Sequence, residues 1–286
     1  LSGLSCVVVG GSRGIGRAAA HLLSELGANV VVNGRHSEAV DETVRSMTAA
    51  GGAAVGFVGA PDNDRTATDL IEACRTEYGG IDVLINCAGI PEPAGSSILT
   101  ITPDDFHRLI DAHLGTVFHT CRAAAPLMAA QGHGTIINTG STASLGIYGG
   151  TGYPAGKAAV NGLTLAIAAE LKQSGVRANV ICPGARTRLS EGDEYIAHLH
   201  DLHTRGLLDE MTLQASLAPA PAECVAPLYA YLASDLSARI TGQIFIAAGG
   251  FIGRFKRQVP TPLGYRDHTE SSQWSVPEID ELMGRR

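Results

Sequence analysis

Lysine is almost missing from this chain: only Lys157, Lys172 and Lys256 occur in 286 residues, and the remaining positive charge is arginine. Paired cysteines are missing too. The six thiols, Cys6, Cys74, Cys87, Cys121, Cys182 and Cys224, are scattered without a C-x-x-C pair. That argues against a disulfide frame or a zinc site and for buried free thiols in a reducing compartment. No basic segment followed by an apolar stretch opens the chain, so a secretory signal is not expected and a cytoplasmic location is. Long apolar runs are also lacking. No charged residue occurs between Arg122 and Lys157, but Pro126, Gln131, Gly132, His133, Gly134 and a run of Ser, Thr and Gly interrupt the stretch. It predicts buried strand and site loop, not a membrane span. The formal net charge of −7 leaves no electrostatic footprint for nucleic acid or an anionic membrane.

What the chain does have is alternation. Short apolar runs at 6–9, 29–32, 54–58, 83–85, 135–138, 176–181 and 243–246 predict buried strands. Between them, 16–26, 37–50, 66–78, 103–128 and 157–173 carry helical apolar spacing. Near-continuous apolar strands separated by helices predict one α/β domain, a doubly wound parallel sheet of seven strands with helices on both faces. That domain is expected over residues 1–250, with 251–286 as a C-terminal extension holding the only tryptophan, Trp274. The polar, helix-rich region at about 187–222 follows the sixth strand. Ligands in such sheets bind beyond the carboxyl ends of the strands, so this region is expected to be a lid.

Tyr153 and Lys157 stand four residues apart in Tyr-Pro-Ala-Gly-Lys. With seven tyrosines and three lysines in 286 residues, chance would give that spacing about 0.07 times. Residues i and i+4 share a helix face, so the ammonium is expected beside the phenol. A tyrosine titrates near 10; a neighbouring cation is expected to lower that and make a usable acid or base.

A glycine cluster, with Gly10, Gly11, Gly14 and Gly16 around Ser12, Arg13 and Ile15, joins the first strand to the first helix. Glycines there let bare N–H groups approach a pyrophosphate at the helix N-terminus. The second strand ends in Asn33-Gly34-Arg35, where a site for NAD would usually place a carboxylate on the ribose. Arg35 and Arg13 instead suit a 2′-phosphate, which favours NADP(H), with NAD(H) still open; two solvated surface arginines are the plainer alternative.

With Gly10/Gly14/Gly16, Asn86-Cys87-Ala88-Gly89, Ser141, Tyr153-x-x-x-Lys157 and Pro183-Gly184, residues 4 to 250 resemble the short-chain dehydrogenase/reductase family. The resemblance implies a Rossmann-type fold, a homotetramer or dimer, and hydride transfer between a nicotinamide and a small-molecule carbonyl or alcohol. It implies Tyr153 as proton donor and acceptor, Lys157 as its partner and ribose anchor, and Ser141 as the group orienting the substrate carbonyl. Asn86, Ala88 and Gly89 would line the adenosine and ribose, Thr139 the cofactor cleft, and Pro183, Gly184 and Thr187 the nicotinamide amide. The chain departs from the family at several points. Val9 replaces a threonine, Cys87 an asparagine, and Ala60-Pro61 the acidic adenine contact, for which Asp62 is the candidate substitute. In Asp111-Ala112-His113-Leu114, His113 takes the place of an asparagine that helps link the lysine to solvent. An imidazole titrates near neutrality and so could join the proton relay; packing alone is the alternative.

A narrower likeness runs through Asp111-Ala112-His113-Leu114, Pro183-Gly184-Ala185-Arg186-Thr187-Arg188-Leu189, Glu223-Cys224-Val225-Ala226-Pro227-Leu228 and Gly249-Gly250-Phe251-Ile252-Gly253. These resemble the (3R)-hydroxyacyl-CoA dehydrogenase unit of multifunctional enzymes and its bacterial relatives, although that unit carries an acidic residue where this chain has Gly34. The substrates so implied are 3-oxoacyl thioesters, then steroids or other bulky ketones. His198, His200 and His203 do not share one helix face, so no metal site is expected. Ser141 is not in a G-x-S-x-G elbow, which argues against a hydrolase. A catalytically silent NADP-binding sensor is the alternative from another class.

Overall fold

A computed structural model describes residues 1–187, 192–256, 259–269 and 271–284. Part of the expected lid, including Arg188 and Leu189 of the narrower likeness, lies outside the described residues. The chain divides into two compact units, Leu1–Phe255 and Lys256–Arg286.

The first unit is built from β1 (Ser5–Val9), α1 (Gly14–Glu25), β2 (Asn29–Gly34), α2 (Ser37–Ala49), β3 (Ala53–Val58), α3 (Asp64–Tyr78) and β4 (Val83–Asn86). It continues with α4 (Pro103–Ile110), α5 (Thr116–Gln131), β5 (Gly134–Thr139), α6 (Gly152–Glu170), β6 (Val176–Gly184), α7 (Asp193–Thr204), α8 (Glu210–Leu217), α9 (Ala226–Ala233), β7 (Ile244–Ala248) and β8 (Phe251–Arg254). The sheet order is β3-β2-β1-β4-β5-β6-β7-β8, parallel through β7. Side chains alternate across it. In β1, Cys6 and Val8 join the core beneath α1 and α9, whereas Val7 and Val9 join the core beneath α3, α5 and α6. A strand buried on both faces has no polar side to show, which is why β1 and β5 are buried throughout.

Two expectations change. The sheet has eight strands, not seven: β8 folds back antiparallel on β7 through Gly249 and Gly250, pairing Ala248 with Phe251. Gly249 takes φ +55°, a turn conformation that glycine reaches without a Cβ clash. Residues 103–128 are not one helix. A π-helical turn, Asp111–Gly115, separates α4 from α5 and carries His113 inward, where it is buried. Such wider turns recur at functional sites because they displace one side chain from the regular ladder.

The winding reverses between β1 and β4, whose ends pair in register at Val9 and Asn86. A crevice beyond those ends is where a doubly wound sheet holds a ligand.

The second unit carries α10 (Val276–Gly284). Ser275 and Glu278 cap each other there: the Ser275 N–H and hydroxyl each donate to the Glu278 carboxylate at 2.7 Å. Arg266 donates to Glu278 at 2.6 Å and lies 3.9 Å from the centre of the Trp274 ring, as a cation over an aromatic face.

Candidate active site

Helix α6 brings Tyr153 and Lys157 to one face, with the lysine nitrogen 5.8 Å from the centre of the phenol ring. The ammonium is tied to the strand. It donates to the backbone carbonyl of Thr139, at the end of β5, at 2.8 Å. Lys157 is 5% exposed, and burial pulls its ammonium down to about 8. The Tyr153 phenol moves the opposite way from the sequence expectation: burial raises it above its ordinary range, and a hydrogen bond from Ser141 partly offsets the rise. Ser141 itself caps a short 3-10 turn, Thr142–Leu145, its oxygen accepting the Ala143 N–H at 3.1 Å. With that lone pair engaged, the hydroxyl proton is left to serve an acceptor in the cleft.

His113 stands edge-on to Tyr153, with ring centres 4.9 Å apart. Its Nε2 meets the Ile90 carbonyl at 3.0 Å, so Nε2 carries the proton and Nδ1 is the bare acceptor. That Nδ1 is buried and has no hydrogen-bond partner. Gly89 makes room for it, since a Cβ there would lie 2.7 Å from the imidazole Cε1, 3.0 Å from Nδ1 and 3.8 Å from the Lys157 nitrogen. Burial, and then the Lys157 charge, push His113 down to about 3. The expectation of an imidazole titrating near neutrality is corrected: His113 is neutral there, and it can take part in a relay only as a neutral donor-acceptor.

Several of the residues proposed for the cofactor adjoin one another. Gly16 is forced by packing, because a Cβ there would meet the Gly10 carbonyl at 2.3 Å. The start of α1 has no side-chain cap and no acidic residue in its first turn, so its amides fit an anion. A Cβ at Gly14 would face Thr187 at 3.6 Å, so this loop and the stretch after β6 adjoin. Pro183 and Gly184 end β6, beside Ala247 and Ala248 of β7. Ile15 packs with Ala18, Ala222 and Ala226. The Asn86 side chain is committed elsewhere: it donates to Asn138 at 2.9 Å and accepts from Thr120 at 2.9 Å, leaving only backbone for a ligand. Ala88 backs the Gly10 turn at 2.8 Å from where a Cβ would sit.

Arg35 and Asp62 line one cleft of ≈ 470 Å³ together with Ile90, Asp104, His107, Arg108, Asp111 and Ala112. Arg13 is exposed at the loop. At Gly34, where a ribose-binding carboxylate would stand, a Cβ would fall 2.3 Å from the Ser12 hydroxyl, so Ser12 fills that space.

Two further groups carry no motif. Tyr229 of α9 is fully buried and its hydroxyl lies 2.9 Å from the Thr139 hydroxyl, which in turn lies 3.2 Å from the Cys87 thiol. Thr139 is thereby a hub, holding Tyr229 by its side chain and Lys157 by its carbonyl. In the stretch after β6, Leu199, Leu202, Leu208 and Leu213 pack with Ile147, Tyr148, Tyr195 and Leu217. Tyr195 is pushed up to about 12 by burial, with Tyr148 and Tyr153 nearby. The lid histidines have separate partners: His198 meets the Tyr148 carbonyl at 3.1 Å, and His203 the Leu208 carbonyl at 2.9 Å. Among the described residues no helix is long and apolar enough to cross a membrane.

Comparison with known proteins extends over the same region. Residues 5–192 match the family model "short chain dehydrogenase". The chain is 35% identical to a 3alpha-hydroxysteroid dehydrogenase of Mediterraneibacter gnavus, over 85% of this chain and 94% of that one. It is 35% identical to the hydroxyacyl-CoA dehydrogenase ChsB1 of Mycobacterium tuberculosis, over 98% of this chain and 87% of that one. A 3-oxoacyl-[acyl-carrier-protein] reductase of Chlamydia muridarum is 32% identical over 86% of this chain and 96% of its own length. The crystal structure of a short chain dehydrogenase from Mycobacterium avium superposes with a TM-score of 0.80 at 31% identity, covering 100% of this chain and 96% of that one.

Proposed function

The chain belongs to the short-chain dehydrogenase/reductase family, oxidoreductases acting on hydroxyl and oxo groups, and we propose that it interconverts a bulky hydrophobic ketone and its secondary alcohol with NADP(H). The observation that carries this reading is the grouping of the Tyr153 phenol, the Ser141 hydroxyl that lowers it, and the buried Lys157 anchored on the end of β5. A nicotinamide, when bound, supplies or accepts the hydride. Tyr153 keeps its proton at neutral pH, because burial holds the phenol high, and gives it to the oxygen that gains charge in reduction. When substrate binds, the Ser141 hydroxyl turns its one proton from the phenol to the same oxygen, where a fixed dipole helps most. Lys157 is anchored by Thr139 as the neighbouring cation. The bare amides of α1 would hold the pyrophosphate, and Arg35 and Arg13 would hold a 2′-phosphate, beside a Gly34 that has no room for a carboxylate.

The half-buried Ile147, Tyr148 and Tyr195, set against a buried leucine core, support a large hydrophobic substrate, either a 3-oxoacyl thioester or a steroid. By resemblance to the family, the same reading takes the protein as a homo-oligomeric cytoplasmic enzyme acting on small molecules. The test is NADPH oxidation with a panel of 3-oxoacyl thioesters and 3-oxosteroids, for the wild type and Tyr153→Phe. Turnover that falls about 10²- to 10⁴-fold in the variant, with dinucleotide binding kept, is the expected result. Tight NADPH binding without turnover, and no effect of Tyr153→Phe, would overturn it in favour of a silent sensor.

A further inference from the structure

Helix α6 begins without a cap of its own. Thr151 sits at its N-cap position with φ −134° and ψ −58°, not the extended backbone that aims a hydroxyl at the first amides, and makes no side-chain cap. Its Oγ1 is buried without a partner. The amides of the first turn are taken instead by Glu92, from the loop after β4. Oε1 of Glu92 accepts the Thr151 N–H at 3.0 Å and the Gly152 N–H at 3.2 Å, and Oε2 accepts the Tyr153 N–H at 2.5 Å. Ser96 adds its hydroxyl to Oε1 at 2.8 Å.

The surroundings fit this task. Gly150, at φ +79°, lets the chain pass so close that a Cβ would lie 3.3 Å from the Glu92 carboxyl carbon. Pro91 and Pro93 flank Glu92 and restrict the loop backbone on both sides. A carboxylate at a helix N-terminus also meets the positive end of the helix dipole. Two residues earlier, the Ile90 carbonyl holds Nε2 of His113. One short strap therefore grips both the imidazole and the first turn that bears Tyr153.

We propose that Glu92 is the positioning residue of this site, capping α6 from across the cleft and fixing the backbone on which Tyr153 stands. It rests on the reading of Tyr153 as proton donor. Glu92 touches neither substrate nor cofactor in this role; it acts through Tyr153.

The test is Glu92→Gln, nearly isosteric but able to accept through one oxygen only, beside Glu92→Ala and Tyr153→Phe. Amide hydrogen exchange at residues 151–153 reads the cap without reference to activity. Exchange is expected to quicken about 2- to 30-fold in both Glu92 variants and to stay normal in Tyr153→Phe. At the same time kcat is expected to fall about tenfold or more in Glu92→Gln, with NADPH binding within twofold of wild type. Unchanged exchange would overturn the cap. Faster exchange with kcat unaltered, or a parallel loss of NADPH binding, would overturn the positioning role. Turnover that survives Tyr153→Phe would instead sink the assignment of the proton donor, while the exchange data still decide the cap.

Discussion

Lys157 donates to the main-chain oxygen of Thr139 at 2.8 Å. The same threonine is tied by its hydroxyl to the buried Tyr229. A cation held this way is anchored on the strand. The Tyr153 phenol is raised because burial disfavours the phenolate; the hydrogen bond that opposes this comes from Ser141.

A raised phenol sets the pH dependence. Carbonyl reduction needs the protonated phenol, so its kcat/KM should be level through neutrality and fall only on the far alkaline side. Ser141→Ala removes the bond that lowers the phenol, so the alkaline limb should move to higher pH while kcat drops about 10- to 100-fold. Initial rates of NADPH oxidation across pH check both. A limb that moves to lower pH would contradict the assignment.

Arg35→Ala should weaken NADP(H) binding about 10- to 100-fold, the worth of a charge-assisted phosphate contact. NAD(H) binding should change by less than about threefold, because without the 2′-phosphate there is little for Arg35 to hold. Fluorescence titration with each dinucleotide measures the ratio. Equal losses would show that Arg35 does not read the phosphate.

His113 links stability to acid. Its pKa is about 3 when folded, against an ordinary value of about 6.5 when unfolded. Between those values the unfolded chain binds the extra proton, so native stability should fall as pH drops from 6.5 towards 3, at most about 1.4 kcal/mol per pH unit. His113→Asn removes this contribution and should lose less stability between pH 6.5 and 4.5. Urea unfolding at the two pH values decides it; identical acid losses would refute the buried neutral imidazole.

Arg177 lies at the start of β6, the end of the sheet away from the site. It donates to Thr135 Oγ1 at 2.8 Å, to the Leu232 carbonyl at 3.0 Å and to Ser237 Oγ at 3.0 Å. Lysine cannot reproduce a planar fork, so Arg177→Lys should cost about 2–4 kcal/mol in urea unfolding while the dinucleotide affinity stays unchanged. A cost below about 0.5 kcal/mol would show that water replaces these bonds readily.

Much of this protein is written locally and could be read locally. Alternating apolar runs dictate the parallel sheet, because a strand covered on both faces needs apolar side chains throughout. The four-residue spacing of Tyr153 and Lys157 puts them on one helix face by the helical repeat alone. The glycine spacing dictates a tight turn into α1. The eighth strand was harder to see, since 251–254 is too short for periodicity and only Gly249-Gly250 marks the hairpin. What the tertiary structure alone decided are the relations between distant segments. Glu92 reaches Tyr153 across 61 positions, Tyr229 reaches Thr139 across 90, and Ile90 reaches His113 across 23. Desolvation is likewise a property of the assembled core: it makes the His113 imidazole neutral and holds the Tyr153 phenol high, and no spacing along the chain encodes it.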